Sequence, residues 1–453
     1  MSPEAHAPFK RILGPFSAGA LISGSMIGTG IFLFVSEVAE RFDDAGSILL
    51  VWTLGAVIAG GGALCLAELA AAYPRTGGIY VFLHRAYGPA VSFLYAWAKF
   101  LIMRVASFAI PSLFFADLIG SLIGDTSQDG WSGRVPTALG VIAVLTAINV
   151  VGVRAGGATQ NVFTALKIMI LLAILGIGLM FGAGLLDAFP LEPITTNPAA
   201  TGPWFLLLGT ALIPVLWTYG GWDESPFVAE EVRDPHRNLP RSIIIGVTGV
   251  AVLFLLVNGA YLIILSPAEI AASPGRTLLW AMQRALGPGA TVLVSLALMI
   301  STFGAANGMA LTGARIAFAA GRDHALFRWF SRTHPRTRTP VRALVIQCVL
   351  ACVAVRVMSD PTKLMYYTAL AYWLFSGLTA AAVIIMRHRD PQAERPFKVW
   401  IYPVTPVLFV LASLGMCVSV VIQYPQDAMA TVWILAAGLV VYLIQRGRMK
   451  VLE

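Results

Sequence analysis

Charge is what this chain has least of: Asp, Glu, Lys and Arg make up 12% of its 453 residues, against 58% hydrophobic residues. So small a polar complement excludes a soluble globular protein and points to an integral membrane protein. The alternating pattern of a transmembrane barrel is missing as well, so the spans are helical. Cysteine is scarce: Cys65, Cys348, Cys352 and Cys417 all fall in apolar stretches, leaving no extracellular disulfide framework and no cysteine zinc site. The six histidines, His6, His84, His236, His324, His334 and His388, lie in loops or at span ends. With no HExxH or GxSxG arrangement beside them, no enzyme, metal or cofactor is expected. The net charge of +8 comes with no nucleic-acid-binding motif. The first apolar run is too long for a cleavable signal peptide and continues into the membrane domain.

What the chain does have is twelve apolar stretches, at roughly 15–39, 48–72, 89–124, 136–152, 158–184, 203–229, 241–265, 289–318, 341–358, 361–386, 399–422 and 428–445. Each is long enough for a helix across a hydrocarbon core of ~30 Å. The expected architecture is all-α, one membrane domain of 12 transmembrane helices. Placing the N-terminus inside assigns 22 Lys and Arg residues to cytoplasmic segments and six (Arg41, Arg134, Arg276, Arg284, Arg356 and Lys363) to the outside. That asymmetry puts both termini in the cytoplasm of a multi-pass protein of the inner, cytoplasmic membrane. The longest cytoplasmic linker, 322–338, reads as a basic surface loop meeting anionic lipid headgroups.

Two of these stretches are interrupted at matching places, by Gly24-Ser25-Met26-Ile27-Gly28-Thr29-Gly30 in the first and Tyr219-Gly220-Gly221-Trp222-Asp223 in the sixth. Paired breaks of this kind mark discontinuous membrane helices that hold a small polar solute near the midplane, as in secondary transporters. A channel would favour a continuous pore lined by polar rings, which the paired breaks fit less well. Laying spans 1–5 against 6–10 gives two sets of opposite topology. The expected boundaries are 12–200 for the first five-helix repeat, 201–390 for the inverted second, and 391–453 for helices 11 and 12.

The local sequences LISGSMIGTGIF (21–32), AELAAAYPRTGGIY (67–80), NVFTALKIM (161–169), WTYGGWDESPFVAEEVRDPHRNLPR (217–241) and STFGAANGMALTGAR (301–315) resemble the amino acid–polyamine–organocation superfamily. Within it the chain is similar to the L-amino acid transporter family, light-subunit type, from about residue 12 to 445. That resemblance implies the leucine-transporter fold, a 5+5 inverted repeat plus two C-terminal helices. It also implies alternating access and sodium-independent exchange of L-amino acids. Relatives in eukaryotes form a disulfide with a heavy subunit through the loop between spans 3 and 4. Here that loop, 124–135, has no cysteine, and no covalent partner is expected.

A zwitterionic substrate needs partners for both its charges, because burying either alone costs several kcal/mol. The freed amides of Gly28, Thr29 and Gly30, at the positive end of a half-helix, can receive its carboxylate. Carbonyls of Ile27 and of the sixth-span break, around Trp217, Thr218, Tyr219 and Gly220, can receive its ammonium. Trp217 matches the family's aromatic gate, while Trp222 either lines the floor or packs. Lys167, in a position where the resemblance implies a lysine, is expected to reach the first-span carbonyls and the hydroxyls of Ser301 and Thr302, standing where relatives of the fold hold a sodium ion. Asp223 departs from the family, which usually has Asn; arginine/agmatine-type antiporters carry an acidic residue there. It could gate by protonation, meet a cationic side chain, or pair with a buried arginine such as Arg104, the internal pair being favoured. A cationic amino acid or polyamine antiporter and a proton-coupled symporter therefore stand as alternatives. Glu68 reads as structural, and Glu230, Glu231, Arg233 and Asp234 as an intracellular closure network.

Overall fold

The protein was analysed as a computed structural model, which describes residues 14–123, 132–181, 203–337 and 339–452. Every element among them is helical and no strand occurs. The first apolar stretch divides into α1 (Pro15–Met26), α2 (Gly30–Leu33) and α3 (Val35–Ala39). It is followed by α4 (Ala45–Ala72), whose start is fixed by Asp44 accepting from the Ser47 amide at 2.6 Å, the usual acidic cap on orphan amides. Next come α5 (Ile79–Tyr87) and a long span formed by α6 (Pro89–Ala98), a π-helical turn at Lys99–Met103 and α7 (Arg104–Leu122). The helices α8 (Arg134–Val151) and α9 (Val153–Phe181) complete the first half.

The second half opens on α10 (Trp204–Thr218), which gives way to turns and a 3-10 segment at Ser225–Glu231. Then follow α11 (Pro235–Ile264), the short α12 (Pro267–Ala271) and α13 (Thr277–Leu286), and α14 (Ala290–Asp323). A 3-10 turn at Ala325–Phe330 leads to α15 (Val341–Val357), α16 (Pro361–Arg389), α17 (Val404–Gln423) and α18 (Pro425–Leu452). Proline stands at the first helical position of α6, α11 and α12, where its missing N–H costs nothing.

Among the described residues nine helices are long and apolar enough to cross a membrane, and the broken segments at 18–33 and 204–218 are shorter apolar helices. Large apolar side chains such as Leu293, Leu411, Val418 and Ile422 face outward, the pattern of a surface made for lipid tails rather than water. The chain is thus an all-α, multi-pass membrane protein. Inside, α11 packs on α4 and α1, and α14 packs on α7 and α9. The two broken segments lie side by side, α10 against α2 and α3, and α1 against the 3-10 segment at Ser225–Glu231.

The linker expected to be a surface loop is partly folded in. His324 is buried against Phe93, at 5.1 Å between ring centroids, and near Tyr442 at 6.3 Å. The loop without cysteine falls mostly in 124–131, outside the described residues; the four cysteines are free thiols.

Candidate functional site

The first break begins where α1 stops at Met26. The Ile27 amide still bonds to the Ser23 carbonyl at 2.8 Å, but the Gly28 amide turns back to Met26 at 2.7 Å and the helix does not resume until Gly30. At the second break the Tyr219 amide closes on Val215 at 2.9 Å and the Gly220 amide on Trp217 at 2.9 Å, after which Gly221 takes φ +102°. Only glycine adopts that conformation without strain. A side chain there would also lie 2.9 Å from the Ser25 backbone carbon. At Gly30 a Cβ would come within 2.8 Å of the Thr218 Cβ. The two breaks touch, and glycine is what lets them.

Between them lies a cavity. Its first-segment wall is Ser25, Met26, Gly28, Thr29 and Gly30; its second-segment wall is Trp217, Thr218, Gly220, Gly221, Asp223 and Glu224. The roof and sides come from Lys99 and Met103 of the π turn, Met309 of α14, and Tyr372 and Trp373 of α16. Trp217 is half-buried and packs edge-on against Phe34, with ring centroids 5.5 Å apart. The Ser25 hydroxyl and the Tyr372 phenol are buried without a hydrogen-bond partner, and unpartnered polar atoms on a cavity wall are available to a polar solute. As the opening residues of α2, Gly30 and Ile31 have no intrahelical acceptor for their amides.

Lys167 of α9 is fully buried, which excludes a lysine reaching up to the interface. Its ammonium donates to the Gly24 carbonyl at 2.8 Å and the Ile27 carbonyl at 2.6 Å. The Ser301 hydroxyl donates to the Gly28 carbonyl at 3.2 Å, while that of Thr302 donates within its own helix, to Met299 at 3.0 Å. Lys167 and Ser301 thus brace the same break from α9 and α14, and Thr302 is occupied elsewhere.

Most of the expected residues therefore come together, with three adjustments. The Ile27 carbonyl already accepts from Lys167 and is not among the cavity-lining residues. The Gly28 amide is engaged with Met26. Tyr219 points away, its ring packing against Trp52 at 5.9 Å and Phe254 at 5.4 Å. Of the two roles left open for Trp222, the structure shows packing, on Phe409 at 6.1 Å. Asp223 is indeed in an internal pair, but its partner is Lys99, at 3.0 Å. Arg104 is held by Glu224 instead, at 2.7 Å, and Thr312 also donates to that carboxylate.

Lys99 and Glu224 are cavity residues that motif reading passed over. A signal existed for the lysine: once 22 and six basic residues are allotted to the two faces, only three of the 31 remain inside spans, Lys99, Arg104 and Lys167.

Below the cavity further acidic residues are paired. Glu231 meets Arg315 at 3.3 Å, both fully enclosed, and Glu230 meets Arg322 at 3.0 Å and the Thr76 amide at 3.3 Å. Glu68 takes Arg387 at 2.7 Å and the Val399 amide at 2.7 Å, a structural role joining α4 to α16 and the segment after it. Among the described residues no cluster of three His, Cys, Asp or Glu side chains could hold a metal ion.

Comparison with known proteins agrees with this geometry. Residues 13–444 match the family described as amino acid permease. The chain is 32% identical over 443 residues to the b(0,+)-type amino acid transporter 1 of Mus musculus, covering 95% of this chain and 87% of the relative. The Homo sapiens protein of the same name is 32% identical over 434 residues, at the same coverages. The large neutral amino acids transporter small subunit 2 of Mus musculus is 32% identical over 417 residues, 90% of this chain and 78% of that protein. Matched along nearly its whole length, the chain belongs to the amino acid permease family, and it is a membrane-embedded secondary active transporter of amino acids, not an enzyme.

Proposed function

We propose that the protein exchanges neutral L-amino acids across the cytoplasmic membrane without sodium, by alternating access about the cavity between the two breaks. In this reading the twelve apolar stretches all span, with both termini cytoplasmic. Residues 12–200 and 201–390 are inverted five-helix repeats of the leucine-transporter type, and 391–453 supply the last two helices. The observation that carries it is the contact of two broken segments around a cavity, with a lysine ammonium held on the carbonyls of one of them.

The substrate carboxylate is received by the amides opening α2, at Thr29 and Gly30, assisted by the Ser25 hydroxyl. Its ammonium meets the carbonyl side of the second break, from Trp217 to Gly220, and Trp217 closes over it. Lys167 supplies a fixed positive charge beside the first break, so a diffusible cation has no task there. The carbonyls that could coordinate sodium at Gly24 and Ile27 are already satisfied. The names of the relatives, which include a large neutral amino acid transporter subunit, support the substrate class.

Purified protein in liposomes, given one labelled neutral amino acid and challenged with every other amino acid, agmatine and small polyamines at two pH values, tests this reading. Competition by neutral L-amino acids at both pH values is expected. Competition by polyamines alone, or uptake that requires a proton gradient, contradicts it.

A further inference from the structure

The cavity holds an ion pair that the transport cycle described above does not use. Lys99 Nζ lies 3.0 Å from Asp223 Oδ2, and both residues line the cavity while being almost wholly withdrawn from solvent. The lysine sits at the first position of the π turn Lys99–Met103, inserted between two stretches of α-helix. An extra residue in a turn re-aims the side chains around it, and such turns gather at functional sites. Here Lys99 and Met103 both reach the cavity. The ammonium is further enclosed by the rings of Phe227 at 5.6 Å and Tyr372 at 5.7 Å.

We propose that Lys99 is a selectivity residue: a tethered cation that occupies the Asp223 carboxylate, where a cationic side chain would bind, and so restricts the carrier to substrates without a side-chain positive charge. The inference rests on the reading of the cavity as the amino acid site.

Two carboxylates face the cavity, Asp223 and Glu224, and each already has its cation, Lys99 and Arg104. Glu224 also accepts from Thr312, and its charge is already balanced by Arg104. An arginine or lysine substrate would have to displace Lys99 from Asp223. The displaced ammonium, on a residue only 5% exposed, would stay beside the incoming charge. Like charges a few ångströms apart in a water-poor site repel far more strongly than in bulk water. A neutral side chain meets no such penalty, because the pair presents zero net charge.

Removing Lys99 while keeping Asp223 should leave an anionic subsite that a cationic substrate can fill. In proteoliposomes the uptake ratio of labelled arginine to labelled leucine is measured for wild type, Lys99→Met and the double variant Lys99→Met with Asp223→Asn. Wild type should show a low ratio. Lys99→Met should raise it at least about tenfold, the discrimination expected when a buried polar group goes from unpaired to paired with one substrate only. The double variant, with both charges gone, should return the ratio toward wild type. An unchanged ratio in a folded Lys99→Met protein, or a double variant that keeps the arginine preference, overturns the inference.

If Lys99→Met does not fold, wild type decides. Excess arginine that competes with leucine uptake as well as unlabelled leucine does overturns the inference, and failure to compete supports it. A wild type that moves neither amino acid would instead refute the reading of the cavity, a distinguishable result.

Discussion

Gly30 faces Thr218 across the contact between the breaks, where an added Cβ would come within 2.8 Å of the Thr218 Cβ. Gly30→Val should therefore push the breaks apart or fill the space a substrate needs, abolishing amino acid binding in a protein that stays monodisperse in detergent. Binding at the wild-type level would remove the first break from the site. Lys167→Ala strips two buried carbonyls of their donor, at a cost of about 1–3 kcal/mol each for an unsatisfied group. Exchange should fall steeply with little change in substrate affinity, because Lys167 touches the break and does not line the cavity. Trp217→Ala loses one edge-on ring contact, worth about 0.5–1.5 kcal/mol beyond its area. Thermal stability should drop slightly and uptake far more if the ring is the lid.

At the scale of elements, the segment after the second break is anchored by acidic residues reaching separate helices. Glu224 goes to α7, Glu231 and Glu230 to α14, and the last also to the Thr76 amide. Arg315→Ala leaves the enclosed Glu231 carboxylate without its cation, and breaking a buried pair from one side costs about 3–5 kcal/mol. Unfolding in detergent should shift accordingly, whereas Arg322→Ala, at a partly exposed pair, should shift it much less.

The cap under α14 is pH-sensitive in a defined direction. Burial pushes His324 down from 6.5 to about 4, with Asp323 opposing and His84 adding to the shift. The unfolded chain therefore binds a proton at a pH where the folded one does not, and stability is lost as pH falls from about 6.5 toward 4. His324→Phe, placed among Phe93, Tyr80 and Tyr442, should flatten that acid dependence of thermal unfolding.

Which elements were legible depended on what encodes them. Long apolar runs and glycine-rich interruptions are local signals, so the helices and the two breaks could be placed from sequence. The short helices α5, α12 and α13, with 9, 5 and 10 residues, are too short to stand out beside membrane spans when apolar length is the signal. Ion-pair partners are not local at all: Lys99 and Asp223 are 124 positions apart, and Arg104 lies as plausibly near one carboxylate as the next until α7 is packed. Hence the internal pair at Asp223 was expected and its partner was not.

At the scale of the whole molecule, the buried Lys, Arg, Asp and Glu side chains among the described residues are matched by opposite charges apart from Lys167, whose ammonium is held by backbone carbonyls. In the proposed reading such a carrier has its cation covalently attached, so a sodium gradient has nothing to load at the first break and the substrate itself drives the change of state. The most direct measurement is counterflow in sodium-free liposomes containing the purified protein, with and without a neutral L-amino acid preloaded inside. The account predicts saturable uptake that is strongly stimulated by preloading and unchanged when sodium is added outside. Uptake that appears only with an inward sodium gradient, or that proceeds at the same rate whether or not substrate waits on the other side, would contradict it.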